Sequence, residues 1–215
     1  MNIKVVTTIT AAAKTYDLVT LDAIKDELDI RDNSKNATLQ RYLTGASVMV
    51  SQYCNRVFPA ETITESFWAQ RDLWPWIIPG GIQNLQLSRW PIQSVTSVTE
   101  NAIVLVQDID FKIDATNGQL IRLDTSGYPK LWPVYPIVVV YIGGFTTIPV
   151  DVQDAVVRMV TRRLIAKGRD PNLKQQNVIG VLEQQWWVAT GAESGNMSPD
   201  ITDVLDNYRV AVLAA

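Results

Sequence analysis

Pro136-Ile137-Val138-Val139-Val140-Tyr141-Ile142-Gly143-Gly144-Phe145-Thr146-Thr147-Ile148-Pro149, continued by Val150 to Gly168, is the stretch that decides the fold. Its first half is a run of β-branched and aromatic residues, which predicts a strand buried on both faces. Gly143 and Gly144 end that run, because neither offers a side chain to pack and both tolerate positive φ. Pro149 suits the first helical position, where its missing N–H is not needed. Asp151 and Asp154 then lie near the start of a helix, and Arg158, Arg162, Arg163 and Lys167 towards its end, as the helix dipole favours. Val152, Val156, Met159, Val160 and Leu164 trace one apolar face, and Gly168 is a natural residue just past the end. A strand thus delivers an amphipathic helix that needs a partner.

The partner is upstream. Thr20 caps a helix over 21–28 with Leu21, Ile24 and Leu28 on one side. Ser34 or Asn36 caps a longer one over 37–54. There Leu39, Tyr42, Leu43, Ala46, Met49, Val50, Tyr53 and Cys54 make a wide apolar face. Leu43, Val50, Val156 and Val160 are expected to pack together. Gly45, in mid-helix, suggests a close helix–helix approach.

Between these helices the period changes to two. Strands are expected at 62–68, 85–87, 95–99, 103–106, 111–113 and 119–123, with a further extended segment at the N-terminus. Trp90-Pro91 breaks the series, and Asn117-Gly118 is a hairpin signal. Residues 72–82, rich in Trp, Pro and Gly, read as a loop. Downstream, 178–189 is compatible with helix or strand, and 190–196 reads as a linker. Ser198-Pro199-Asp200 opens a last helix over 198–213, with Ile201, Val204, Leu205, Tyr208 and Val212 as its apolar stripe. The fold class is therefore α+β: a small helical bundle with an inserted antiparallel sheet and a C-terminal helical tail. A core over 1–168, with its β block at 62–142, is expected to be followed by an extension over 169–215.

The totals narrow the function. The 215 residues carry a net charge of −3, which argues against general nucleic-acid affinity. There is one cysteine and no histidine. That removes a disulfide framework, the commonest transition-metal ligand and the usual acid–base side chain near neutral pH. No catalytic residues, cofactor or metal site are expected. Neither a signal peptide nor a membrane span is expected, which suits a soluble intracellular chain. Asp108, Asp110, Asp114 and Asp124 match no ion-binding loop and fit turns. Arg158, Arg162, Arg163, Lys167 and Arg169 read as a solvated face or as partners for acidic residues on the next subunit, in preference to a phosphate-contacting stripe, and Cys54 as a small core residue. Trp68, Trp90 and Trp132 suit the sheet's own core. Trp74 and Trp76, in the long loop, are the candidates for an exposed interface patch.

Several segments in this order carry a family likeness: Leu18 to Leu28, Tyr53-Cys54-Asn55-Arg56-Val57-Phe58, Trp90 to Val98, Phe111-Lys112-Ile113-Asp114, and Tyr141 to Phe145 followed by Ile148 to Val152. Over about Asp17 to Lys167 the chain resembles the phage head-to-tail connector family, the head-completion adaptors that bind beneath the portal ring. The resemblance implies a non-enzymatic virion protein, made in the bacterial host cytoplasm. It implies a homo-oligomeric ring, twelve-fold in the family, between the portal protein and the tail or stopper protein. DNA passes its channel without specific binding. Two rivals stand beside it: a sugar- or peptide-binding β module using the tryptophans, and a carboxylate hydrolase.

The stripe Ile201, Val204, Leu205, Tyr208 and Val212, in a tail the resemblance does not cover, has two available sinks: the protein's own surface, as a fourth helix of the bundle, or another chain, the portal or a neighbouring subunit, which the linker before it favours. Trp186 and Trp187 would brace the point where the tail leaves the body. Truncation after Asn196 is then expected to leave the melting temperature unchanged and to abolish portal binding.

Overall fold

The computed structural model describes residues 3–69, 83–132, 136–167, 175–178, 182–185 and 197–210. Strands are β1 (Ile3–Ala11), β2 (Glu61–Ala69), β3 (Asn84–Gln86), β4 (Ile92–Glu100), β5 (Ile103–Leu105), β6 (Phe111–Asp114), β7 (Gln119–Arg122), β8 (Ile137–Gly143), β9 (Gln175–Val178) and β10 (Leu182–Gln185). Helices are α1 (Leu21–Glu27), α2 (Asn36–Tyr53), α3 (Val150–Ile165) and α4 (Pro199–Leu205), the last continued by a 3-10 turn, Asp206–Tyr208. The fold is α+β. Two compact units result, one of residues 1–15, 57–147 and 213–215, the other of 16–56 and 148–212.

The sheet unit holds a five-stranded antiparallel sheet in the order β1-β2-β8-β4-β5 and a three-stranded sheet β3-β7-β6. Strand β8 is central, pairing with β2 through Tyr141↔Ile63 and with β4 through Tyr141↔Val95. Its burial alternates: Ile137, Val139, Tyr141 and Gly143 are buried, whereas Val138, Val140 and Ile142 are only half-buried. This corrects the expectation of a strand buried on both faces. An antiparallel sheet packs one face on its core and leaves the other partly open. Ile63, Phe67, Leu85, Leu87, Val98, Phe111, Leu120 and Trp132 complete that core.

The two glycines closing β8 have different reasons to be glycine. Gly144 adopts φ +113°, and a Cβ there would sit 2.5 Å from the Pro59 carbonyl oxygen. Gly143 lies within the strand, where a Cβ would meet the Arg89 carbonyl oxygen at 2.5 Å. The backbone bonds Gly144 N–H to Pro91 O at 2.9 Å and Phe145 N–H to Phe58 O at 2.7 Å pin this corner.

In the helical unit, Thr20 Oγ1 accepts from Ala23 N–H at 3.2 Å and caps α1 as expected. Helix α2 starts at Asn36 with Lys35 at its cap and no side-chain cap bond, so neither Ser34 nor Asn36 plays that part. Pro149 stands at the cap of α3 and not inside its first turn. Helices α2 and α3 pack together, and Leu43, Val50, Val156 and Val160 are all buried. Only the Arg163 guanidinium, 3.4 Å away, would meet a Cβ on Gly45, so no helix backbone closes on that residue. Of the segment 178–189, which suited helix or strand, Leu182–Gln185 form β10, which pairs antiparallel with β9, itself mostly upstream of that segment. The last helix is much shorter than the expected 198–213, ending at Leu205.

Candidate partner-binding site

The segment from Ser198 to Val210 carries most of the expected partner contacts, and each of its ends is tied down. Ser198 precedes Pro199 and adopts the extended cap conformation, yet its hydroxyl makes no cap bond. It meets the Arg162 guanidinium of α3 instead. Arg162 also reaches the Asp200 carboxylate at 2.7 Å, with Arg158 3.7 Å from the same group. Hydrogen bonding from Ser198, and then the Arg162 charge, hold the Asp200 carboxyl below its usual range. Further on, Tyr53 of α2 donates to Asp206 at 2.6 Å, and Val210 N–H to the Cys54 carbonyl at 2.9 Å. Tyr208 donates to Asp151 at the start of α3 at 2.8 Å. Burial, and then the Asp151 carboxylate, push the Tyr208 hydroxyl up to about 12.

Ile201 and Leu205 are buried within this helical unit, and Val204 and Tyr208 are half-buried. This corrects the expected stripe. Two of its members already have an apolar sink in their own unit, because a seven-residue helix cannot present an apolar face to another chain while turning it inward. Val212, Trp186, Trp187, Trp74 and Trp76 lie outside the described residues. The receptors of the segment, Tyr53, Asp151, Arg158 and Arg162, were not expected as such. Tyr53 and Asp206 are 153 residues apart, and no local spacing signals that pairing.

The basic stripe of α3 meets acidic residues of its own chain. Arg158 pairs with Asp154 at 2.6 Å as well as with Asp200, and Arg163 stacks over the Tyr42 ring at 4.7 Å. Cys54 is buried, its thiol 3.6 Å from the Leu205 carbonyl, and burial raises its pKa to about 11. Trp132 is a core residue whose indole N–H donates to Leu120 O at 3.0 Å. Trp90 is half-buried and Trp68 exposed.

The carboxylates of the sheet unit serve its turns. Asp110 accepts from Val106 N–H at 2.9 Å, Asp114 from Asn117 N–H at 3.1 Å and Asp124 from Ser126 N–H at 2.8 Å. Among the described residues no group of three or more His, Cys, Asp or Glu is placed to hold a metal ion. Nor is any described helix long and apolar enough to cross a membrane.

No curated protein matches the sequence. Three solved structures share the fold along almost the whole chain. The neck of an empty gene transfer agent (GTA) particle, computed with C6 symmetry, matches at TM-score 0.54 and 15% identity, covering 98% of both chains. The virion of the native GTA particle matches at 0.54 and 15%, over 97% of this chain and 98% of that one. The neck of the native particle, computed with C12 symmetry, matches at 0.53 and 15%, over 98% of both. Residues 18–74, which hold α1, α2 and β2, match the model of the phage gp6-like head-tail connector proteins. Over that segment, about a quarter of the chain, the sequence is similar to the gp6-like head-tail connector family.

Proposed function

We propose that this protein is a structural adaptor of the virion neck. It joins the portal ring to the tail or stopper as a homo-oligomeric ring around the DNA channel, and it catalyses no reaction. The observation that carries the reading is the connector-family match over residues 18–74. The fold shared with chains of GTA necks supports it. The net charge of −3 is consistent with a channel that does not grip passing DNA, and the pairing of the α3 arginines with Asp154 and Asp200 is consistent with it too. Within the C-terminal segment, Val204 and Tyr208 are the described residues we assign to portal or subunit contact. Trp74 and Trp76 belong to the tail-side contact in the same reading.

Electron microscopy of the purified chain mixed with its portal tests the proposal. Rings of added density beneath the portal are expected. A portal that stays bare at saturating chain concentration overturns it.

A further inference from the structure

The five-stranded sheet has two open edges, and both are built unlike the edges of a protein that works alone. Strand β1 pairs only with β2, and β5 only with β4, among the described residues. Successive strand residues point to opposite faces, yet neighbours Val5 and Val6 on β1 are 42% and 40% exposed. On β5, Ile103 and Val104 are 66% and 65% exposed. Both edge strands therefore expose neighbouring residues on opposite faces, while the last residue of β5, Leu105, is buried in the core. Seven of the nine β1 residues are β-branched and none is proline, so its guards against pairing with another chain are a single lysine, Lys4, and an irregularity near its end between Ile9 and Ala11.

The two edges also differ in charge. Lys4 is the one charged residue of β1, and the exposed Lys14 follows it. Residues 100–110, around β5, carry Glu100, Asp108 and Asp110 and no basic residue. Arg122 pairs with Glu100 at 2.9 Å and with Asp110 at 3.4 Å, which leaves this edge net negative. Basic and acidic edges on one sheet attract in a head-to-tail sense and repel like to like.

We propose that β1 of one copy adds to the β5 edge of the next, so that the sheets of neighbouring subunits join through these edges. This rests on the ring reading above. A head-to-tail contact joins two different surfaces and closes into a ring, whereas β1 pairing with β1 closes a two-fold dimer. All the pairings within the sheet are antiparallel, so β1 and β5, four steps apart, run in the same direction. With a small rotation between subunits, the new junction is a parallel one.

Cysteine cross-linking on assembled rings tests it, with the full chain bound to its portal. Val104→Cys is combined in turn with Val5→Cys, Val6→Cys, Thr7→Cys or Thr8→Cys, so that the register need not be known. All five positions are exposed, and unchanged melting of each variant confirms folding. Under mild oxidation at least one double variant is expected to give a ladder of linked multimers, while each single variant stays unlinked. Dimers from the β1 single variants, without a ladder, overturn the proposal in favour of two-fold pairing. Rings seen by microscopy with no cross-link in any double variant overturn it and leave the ring reading intact. If no rings form, both fall together.

Discussion

Tyr141 donates its hydroxyl to the Glu65 carboxylate at 2.9 Å, and both side chains are shut off from solvent in the sheet unit. The same hydroxyl accepts from Arg89 N–H at 3.1 Å, and Glu65 accepts from Ser88 N–H at 3.1 Å and from the Ser88 hydroxyl. A buried charge persists only with such partners. Tyr141→Phe removes one donor to the carboxylate and the acceptor of the Arg89 amide. The expected loss is about 1–3 kcal/mol of stability in denaturant unfolding. A variant as stable as the parent would show that the network contributes nothing.

Three tyrosines should ionise late. Burial, followed by the Glu65 charge, raises the Tyr141 hydroxyl, and Asp206 raises that of Tyr53. Tyr208 is raised to about 12 from an ordinary 10.0. Above about pH 10 the unfolded chain loses these protons while the folded chain keeps them. Folding stability is therefore complete below about pH 10 and falls as pH rises beyond it. The share from Tyr208 is gone once pH passes about 12. Absorbance titration of tyrosinate should show a late group among the seven tyrosines, and Tyr208→Phe should shrink it.

The glycines provide a graded test of backbone geometry. Gly144→Ala combines a positive φ with a clash against the Pro59 carbonyl, and should cost roughly 2–5 kcal/mol or prevent folding. Gly127 has φ +81° and nothing within 4 Å of a new Cβ, so Gly127→Ala should cost only about 1–2 kcal/mol. Gly45→Ala meets just the end of the Arg163 side chain and should raise stability by up to about 1 kcal/mol. Melting temperatures in the reverse order would mean that the corner at Gly144 is wrong.

What the sequence made legible were the features set by local pattern. Periodicity over 37–54 and 150–167 marks α2 and α3 to within two residues at each end, because their apolar faces are wide. Asn117-Gly118 marks the β6–β7 turn, although Asp114 draws it into a four-residue loop by accepting from Asn117 N–H. What stayed hidden depended on distance along the chain. The run Ile137–Gly143 reads as doubly buried, since valine and isoleucine fill half-buried positions of a central antiparallel strand equally well. Nothing near Ile201 or Leu205 reveals whether their sink is the chain's own unit or another molecule. The openness of β1 and β5 is likewise a property of sheet order, which no single strand encodes.

The C-terminal segment gives the sharpest reversal of a sequence expectation. Were its stripe held only by another chain, removing residues 197–215 would leave the melting temperature unchanged. In the structure Ile201 and Leu205 are buried in the helical unit, and each such side chain stabilises by about 1.5–3 kcal/mol. Their loss together should cost on the order of 3–6 kcal/mol, an upper figure because unfolded chains already bury some apolar surface. Arg162 is about half exposed, so its pairing with Asp200 adds no more than about 1 kcal/mol. Leu205→Ala alone should therefore destabilise far more, about 2–5 kcal/mol, than Arg162→Ala. Denaturant unfolding of the truncated chain and of both point variants checks this ranking. A truncated chain that melts with the parent, or Arg162→Ala exceeding Leu205→Ala, would show that the segment is not docked through its apolar side.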